Sequence, residues 1–373
     1  KYLAGREGYV FVLCGDAPLI TSKTISETLK FHRDNNCSAT VITAEKDDPS
    51  GYGRIVRDED GNVLRIVEHK DADDRVRNIK EINSSMYCFT ISSLLTALKK
   101  INNNNSQGEY YLTDTLEILI NEGLKVGAVK VENSWEVLGI NDRIQLAEVT
   151  EIMRRRILEE HMRSGVTVID PASTYIDGGI HIGMDTIIYP GTILEGDTVI
   201  GENCVIGPNS RIVGSKIGNN VEITNSVVLE SSIDDGTHVG PFAYIRPGSS
   251  VGKCVKIGDF VEIKNSNIGD DTKISHLTYV GDADVGENVN LGCGVVFVNY
   301  DGKKKHRTVV EDNAFVGCNT NLVSPVIVRE NAYIAAGSTI TEEVPKNSLA
   351  IARSRQVIKE DWVVKKGLLR KKD

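Results

Sequence analysis

The chain has 373 residues, a formal net charge of −9, and 40% hydrophobic against 25% charged residues, a balance that fits two folded domains and excludes a disordered chain. No run approaches the roughly 18 apolar residues needed to cross a bilayer, no secretory-leader pattern precedes the first apolar run, and the acidic balance repels a phosphate backbone, which sets aside membrane spanning and general nucleic-acid binding. Seven cysteines, odd in number and never spaced as CxxC, point to free thiols in a reducing cytoplasm rather than a disulfide framework or a zinc site. The first residue is Lys1 rather than Met, which reads as a fragment or a processed product.

Residues 1–141 read as mixed α/β. The run "GYVFVLCGD" (8–16) has the look of a buried parallel strand entering a loop at Gly15-Asp16. A helix is expected over 21–34, capped by Thr21 or Ser22, with Ile25, Leu29 and Phe31 on its apolar face; a strand follows at 38–46. Strand, helix, strand predicts a Rossmann-like doubly wound sheet. Residues 142–164 read as a linker helix, with Ile144, Val149, Ile152, Met153 and Ile157 in a 3.6-residue period and Gly165 closing it.

From residue 165 the texture changes. Ile176, Ile182, Ile188, Leu194, Ile200, Ile206 and Ile212 recur every six residues, and the series resumes from Ile233 to Ile263 and from Val310 to Ile340. Six is neither a helical nor a simple strand period; it belongs to a solenoid of short strands that turn a corner after each inward aliphatic residue. The pattern resembles the hexapeptide-repeat family, whose left-handed parallel β-helix has three hexapeptides per coil. That implies about nine coils between residues 176 and 340 and a prism ~43 Å tall at ~4.8 Å per coil.

Three hexapeptides per coil stack remote residues. Arg246 and Lys264, each one step past an inward residue, fall on neighbouring coils; two cations ~4.8 Å apart repel unless an anion such as phosphate lies between them. His276, Cys293, Cys318 and Ala336 fall in one line, a groove for an extended arm ending beside a titratable base. The register is interrupted by "NYDGKKKHRT" (299–308), a basic loop and candidate anion site in an acidic protein.

Residues 276–306 ("HLTYVGDADVGENVNLGCGVVFVNYDGKKKH"), "FAYIRPG" (242–248) and "AAGSTIT" (335–341) resemble the acetyltransferase half of the bifunctional N-acetylglucosamine-1-phosphate uridyltransferase / glucosamine-1-phosphate N-acetyltransferase family. "GDAPLI" (15–20), "DPSGYGRIVRD" (48–58), "IVEHKDA" (66–72), "EINSSMY" (81–87), "NNNNSQGEYYLTD" (102–114) and "GIND" (139–142) resemble its uridyltransferase half. The resemblance implies that 165–373 transfers acetyl from acetyl-CoA to the amine of glucosamine-1-phosphate. It makes His276 the general base, with Arg246, Lys264, Tyr279, Asn290 and Lys305 holding glucosamine-1-phosphate. Cys293, Asn299, Tyr300, Cys318, Ala336 and Arg353 then contact acetyl-CoA.

Position 318 is commonly serine in this family and 293 commonly alanine, which leaves a backbone contact there rather than a hydroxyl one. In the other half the resemblance implies UMP transfer from UTP to N-acetylglucosamine-1-phosphate, giving UDP-N-acetylglucosamine, a cell-wall and lipopolysaccharide precursor. Cys14, Gly15, Asp16, Gly53, Glu68, Asn83 and Asn141 would bind the UDP-sugar, and Asp16 and Asn141 would hold Mg²⁺. It also implies a homotrimer.

The family's glycine-rich, phosphate-cradling GxGTRM loop has no counterpart here, so 1–141 is expected to be truncated and uridyltransferase activity lost. An alternative is a sugar-1-phosphate nucleotidyltransferase with a purely structural β-helix, and another is a scaffold module. A metal-dependent hydratase would need clustered histidines, and His238, His276 and His306 fall on different edges.

Overall fold

The computed structural model describes residues 2–103 and 108–369. Residues 104–107 of the 102–114 motif, and residues 370–373 at the end of the basic run 365–373, lie outside the described residues. The chain divides into two compact units, Lys1–Met153 and Arg154–Asp373. Among the described residues no helix is long and apolar enough to cross a membrane.

The first unit contains β1 (Tyr9–Val12), α1 (Ser22–Asp34), β2 (Ala39–Glu45), β3 (Arg54–Arg57), β4 (Val63–Val67), α2 (Asp74–Arg77), β5 (Glu81–Thr90), α3 (Ile91–Ala97), α4 (Asp114–Asn121) and β6 (Val126–Lys130). The sheet order is β4-β3-β5-β2-β6, with β1 also paired to β5. β2 and β5 are buried on both faces: Val41, Tyr87 and Phe89 pack with Leu94, Leu116 and Leu119, while Ile42, Ile82 and Met86 pack with Val137 on the other side. This is why both strands read as nearly continuous apolar runs.

Two sequence expectations change here. β1 is not a buried parallel strand: it pairs antiparallel with β5, and Tyr9 is 47% exposed. α1 starts where expected, with the Thr21 hydroxyl accepting from the Thr24 N–H, but its fully buried residues are Thr24, Thr28 and His32 rather than Ile25, Leu29 and Phe31. Two of those three polar groups have partners: Thr24 donates to Glu136, and the His32 ring lies between the Thr40 and Thr90 hydroxyls at 2.9 and 3.0 Å. Burial lowers the His32 pKa and keeps the ring neutral.

Helix α5 (Arg143–Arg163) crosses the division between the units. Its apolar face is shorter than its periodicity implies: Val149 and Leu158 are buried, whereas Ile144 is 72% exposed.

The second unit is a left-handed parallel β-helix of about 10 turns, its three faces formed by parallel sheets of 11, 10 and nine strands. It is longer than the hexapeptide count alone suggests, because Thr167–Val168 and Leu349–Ala350 add strands beyond the regular series on the 11-stranded face. Each coil sends one aliphatic side chain per strand inward; Ile188, Leu194, Ile206, Ile245, Ile263, Ile274 and Val316 are completely buried. Threonine and serine line the inner corners, and their hydroxyls return to backbone carbonyls, as Thr192 does to Tyr189 at 2.7 Å and Thr237 to Gly252 at 2.7 Å. The corner groups are thereby satisfied without water.

Because each aliphatic side chain is enclosed by equivalents from the coils above and below, truncation leaves a cavity that the ladder cannot close. Ile257→Ala should destabilise this unit by about 2–5 kcal/mol, read as a lowered urea midpoint.

Candidate active site

Inward residues Ile257, Ile274, Leu291, Val316 and Ile334 lie in register on consecutive coils. The residue two positions past each turns outward at the same edge, giving the column Asp259, His276, Cys293, Cys318 and Ala336. The ladder is continuous: Gly294 N–H donates to the His276 carbonyl at 3.3 Å, Asn319 N–H to the Cys293 carbonyl at 2.8 Å, and Gly337 N–H to the Cys318 carbonyl at 2.8 Å. Gly292 and Gly317 permit this stacking, since a Cβ on either would lie 2.6 Å from the Cys318 nitrogen or 2.5 Å from the Ala336 nitrogen. Above Cys293 the edge has only small side chains, and the Arg353 chain reaches it beside Gly337.

His276 ends the strand Lys273–His276 and is exposed. Its Nδ1 is 2.6 Å from Oδ1 of Asp259, the register partner one coil below. The hydrogen bond from the ring holds the Asp259 carboxyl below the usual carboxylate range. Sequence reasoning placed His276 in this column but did not reach Asp259, which counting one coil back along it finds.

Across the 10-stranded face lies a second edge. Arg246 and Lys264 follow the paired Ile245 and Ile263, as the coil count predicts, and Tyr279 projects from the face between the two edges. The expected repulsion between the two cations is instead relieved within the protein. Arg246 Nη1 lies 2.8 Å from Glu262, and Lys264 Nζ lies 3.1 Å from Asp282.

Asp282 also accepts from the Asn265 and Asn299 amides at 2.7 and 2.5 Å, and Asn299 reaches the Tyr279 hydroxyl at 3.3 Å. Burial raises the Asp282 pKa, but the hydrogen bonds from Asn265 and Lys264, the Lys264 charge and the Asn299 hydrogen bond outweigh it and leave the carboxyl below its ordinary range.

The loop at 299–308 folds around its own acid. Asp301 accepts from the Lys303 and Lys304 N–H groups at 2.7 Å each and from the His306 ring at 2.6 Å, and these bonds bring its pKa to about 2. Arg307 is bound to Asp284, so the basic run is less of a free anion site than its sequence suggests. A Tyr300–Lys305 bridge closes the loop. Lys264 lies beside Lys305 and pushes it below the ordinary lysine range.

One predicted residue stands apart. Asn290 projects from the 11-stranded face between Lys273 and Phe315, on the other side of the His276 edge from Tyr279 and Lys264.

In the first unit, Gly53, Glu68 and Asn83 converge. A Cβ on Gly53 would meet Glu68 at 3.3 Å and Asn83 at 3.4 Å, and Asn83 N–H donates to the Gly53 carbonyl at 2.8 Å. Burial, then the charges of Asp71 and Asp114, raise Glu68 above its ordinary range. Asp16 and Asn141 are drawn to one corner: Ile140 N–H donates to the Asp16 carbonyl at 2.9 Å, and Gly139 leaves room for the Asp16 carboxylate.

Cys14 and Gly15 lead into that corner. The Cys14 thiol donates to the Ser85 carbonyl at 3.4 Å, and burial together with Asp16 raises its pKa. Among the described residues no group of three or more His, Cys, Asp or Glu gathers as a metal site. The exposed Asp16 carboxylate and Asn141 amide suit a hard cation whose remaining ligands come from phosphate oxygens and water.

A mixed α/β sheet unit followed by a hexapeptide solenoid, with a carboxylate-bound histidine and two cationic positions on the two edges of one face, has the organisation of a two-domain transferase. The nucleotidyl transferase family matches residues 1–150, and the bacterial transferase hexapeptide family (six repeats) matches 179–214 and 307–342. The bifunctional protein GlmU of Acetivibrio thermocellus is 69% identical over 370 residues, covering 99% of this chain and 80% of its own. That of Clostridium acetobutylicum is 58% identical over 369 residues, covering 99% and 81%. A solved UDP-N-acetylglucosamine acyltransferase from Campylobacter jejuni overlaps 55% of this chain and 79% of its own at 21% identity, with a TM-score of 0.33, too loose a likeness to argue from.

The chain belongs to the bifunctional GlmU family, and it is an enzyme with nucleotidyltransferase and acyltransferase units. The expectation of a missing segment and lost uridyl transfer finds no support in these comparisons, because the nucleotidyl transferase match runs through residues 1–150 and the chain covers 80% of the Acetivibrio protein.

Asp282 has a depressed pKa when folded, so its stabilising effect is present above the unfolded carboxyl pKa and disappears as pH falls through the folded one. Asp282→Asn should therefore flatten the acid side of the stability–pH curve below about pH 4, measured by urea unfolding at stepped pH.

Proposed function

We propose that the β-helix unit transfers acetyl from acetyl-CoA to the amine of glucosamine-1-phosphate, and that the sheet unit transfers UMP from UTP to N-acetylglucosamine-1-phosphate, yielding UDP-N-acetylglucosamine. The observation that carries the first reading is the pair of edges bounding one face: a base below a column of small residues, and two cations at the other edge of that face. Family membership supports both readings, and both act on small sugar and nucleotide substrates.

In this reading the sugar phosphate lies against Lys264, Lys305 and Arg246, with Tyr279 beneath the ring. The amine then faces His276. Nδ1 of that imidazole is engaged by Asp259, which leaves Nε2 to take the amine proton. As the proton leaves, the nitrogen attacks the thioester carbonyl; the new C–N bond forms, the C–S bond breaks and CoA departs as thiolate. Cys293, Cys318 and Ala336 border the arm of the donor, with Asn299 and Tyr300 towards its acyl end and Arg353 further along. Backbone N–H groups near Asn299 and Cys318 would stabilise the oxyanion.

Asn290, on the adjoining 11-stranded face beyond the His276 edge, supports a homotrimer in which it serves a neighbouring subunit's site. In the sheet unit Asp16 and Asn141 would hold Mg²⁺, which neutralises nucleotide phosphate charge, while Cys14, Gly15, Gly53, Glu68 and Asn83 bind the UDP-sugar. In this arrangement 1–141 carries the nucleotidyltransferase, 142–164 links, and 165–373 carries the acetyltransferase. All seven cysteines are free thiols, in keeping with a reducing cytoplasm.

His276→Ala should lower the turnover of acetyl transfer by roughly 10²–10⁴-fold, while acetyl-CoA binding by calorimetry persists. Full retention of acetyl transfer would falsify the assignment of the base and favour a purely structural β-helix.

A further inference from the structure

We propose that Asp259 is a positioning residue for acetyl transfer, holding the His276 ring in the tautomer and orientation that present Nε2 to the amine. The inference rests on His276 acting as the base, and it arises from geometry particular to this corner. The strands Lys256–Asp259 and Lys273–His276 pair in register to their last residues, so the carboxylate lies directly below the imidazole, 2.6 Å from Nδ1. The Thr278 hydroxyl donates to the His276 carbonyl at 2.7 Å and fixes the backbone from the other side. The register neighbours of the ring are Asp259 below and Cys293 above; of these the carboxylate alone is an anion bound to the ring.

Backbone strain at the same corner is a second observation. On five other coils of this edge the residue after the column is Gly or Asn, at Gly191, Asn209, Gly294, Asn319 and Gly337, types that enter the left-handed region at little cost. On the three coils around the site it is Phe242, Phe260 and Leu277, with φ of 62°, 56° and 48°. Bulky residues there cost on the order of 1–3 kcal/mol each and persist only where their surroundings enforce them. The Phe242 and Phe260 rings stack at 5.4 Å and 13°, bracing the turn that follows Asp259. The strained turns thus aim Asp259 and His276 along one line. An ionised carboxylate on Nδ1 keeps the proton on that nitrogen and stabilises the imidazolium once Nε2 has accepted the amine proton.

The test compares Asp259→Asn and Asp259→Ala in the full chain, with His276→Ala alongside. Both Asp259 variants should lose roughly 10–100-fold in kcat, with KM for glucosamine-1-phosphate and acetyl-CoA within about twofold. Asparagine should be at least as harmful as alanine, because its amide N–H can donate to Nδ1 and lock the wrong tautomer. Added formate should restore part of kcat to Asp259→Ala and none to Asp259→Asn. The inference is overturned if asparagine is the milder change, if KM rises in place of the fall in kcat, or if either variant keeps kcat within about twofold of the parent. His276→Ala separates the failures: an active His276→Ala sinks the assignment of the base, whereas an inactive one beside normal Asp259 variants sinks only the role of Asp259.

Discussion

The hydrogen-bonded ladder between successive coils is the constraint on which both edges of the candidate site depend. Each strand is only two to four residues long and has little stability of its own; it persists because its N–H and C=O groups pair with the coils on both sides and because one aliphatic side chain per strand fills the interior. The ladder admits no slip, since a shift by one residue would turn the aliphatic residue outward. Residues separated by 17 positions, such as Asp259 and His276, therefore become contacts. The 25 positions between Cys293 and Cys318 are bridged in the same way, because the basic loop is extruded without disturbing the register.

Electrostatics adds a second layer of organisation. Read along the chain, Arg246, Lys264, Lys305, His306 and Arg307 suggest an uncompensated cationic patch. In three dimensions Glu262, Asp282, Asp301 and Asp284 are set against most of them. Each acid orients a cation and lowers the cost of clustering like charges, and Lys264 and Lys305 remain close enough to perturb each other. These donors are thus already held in place, which would reduce the ordering penalty of binding an anion there.

Legibility differed between the two units for a physical reason. In the β-helix the period of six is both the structural repeat and the sequence repeat, so the column from His276 to Ala336 follows from counting. In the sheet unit, proximity comes from strand order and loop crossings. The convergence of Gly53, Glu68 and Asn83 lies in no periodicity, and those residues entered only through family resemblance. The same limitation misjudged β1 and α1. Apolarity alone does not distinguish an antiparallel edge strand from a central parallel one, and the buried polar stripe of α1 depends on partners from Glu136, Thr40 and Thr90, far away in the chain.

By itself the amino-acid sequence determined the solenoid, its inward residues and the alignment of the imidazole with the two thiols, because side-chain alternation and a repeating turn are local properties multiplied by stacking. Only the tertiary structure decided which acid meets which base. Asp259 under His276, Asp282 between Lys264 and Asn299, and the removal of Asn290 to another face follow from the lateral pairing of coils and the corner at which each side chain leaves the backbone. Those are relations between strands, and no single strand encodes them.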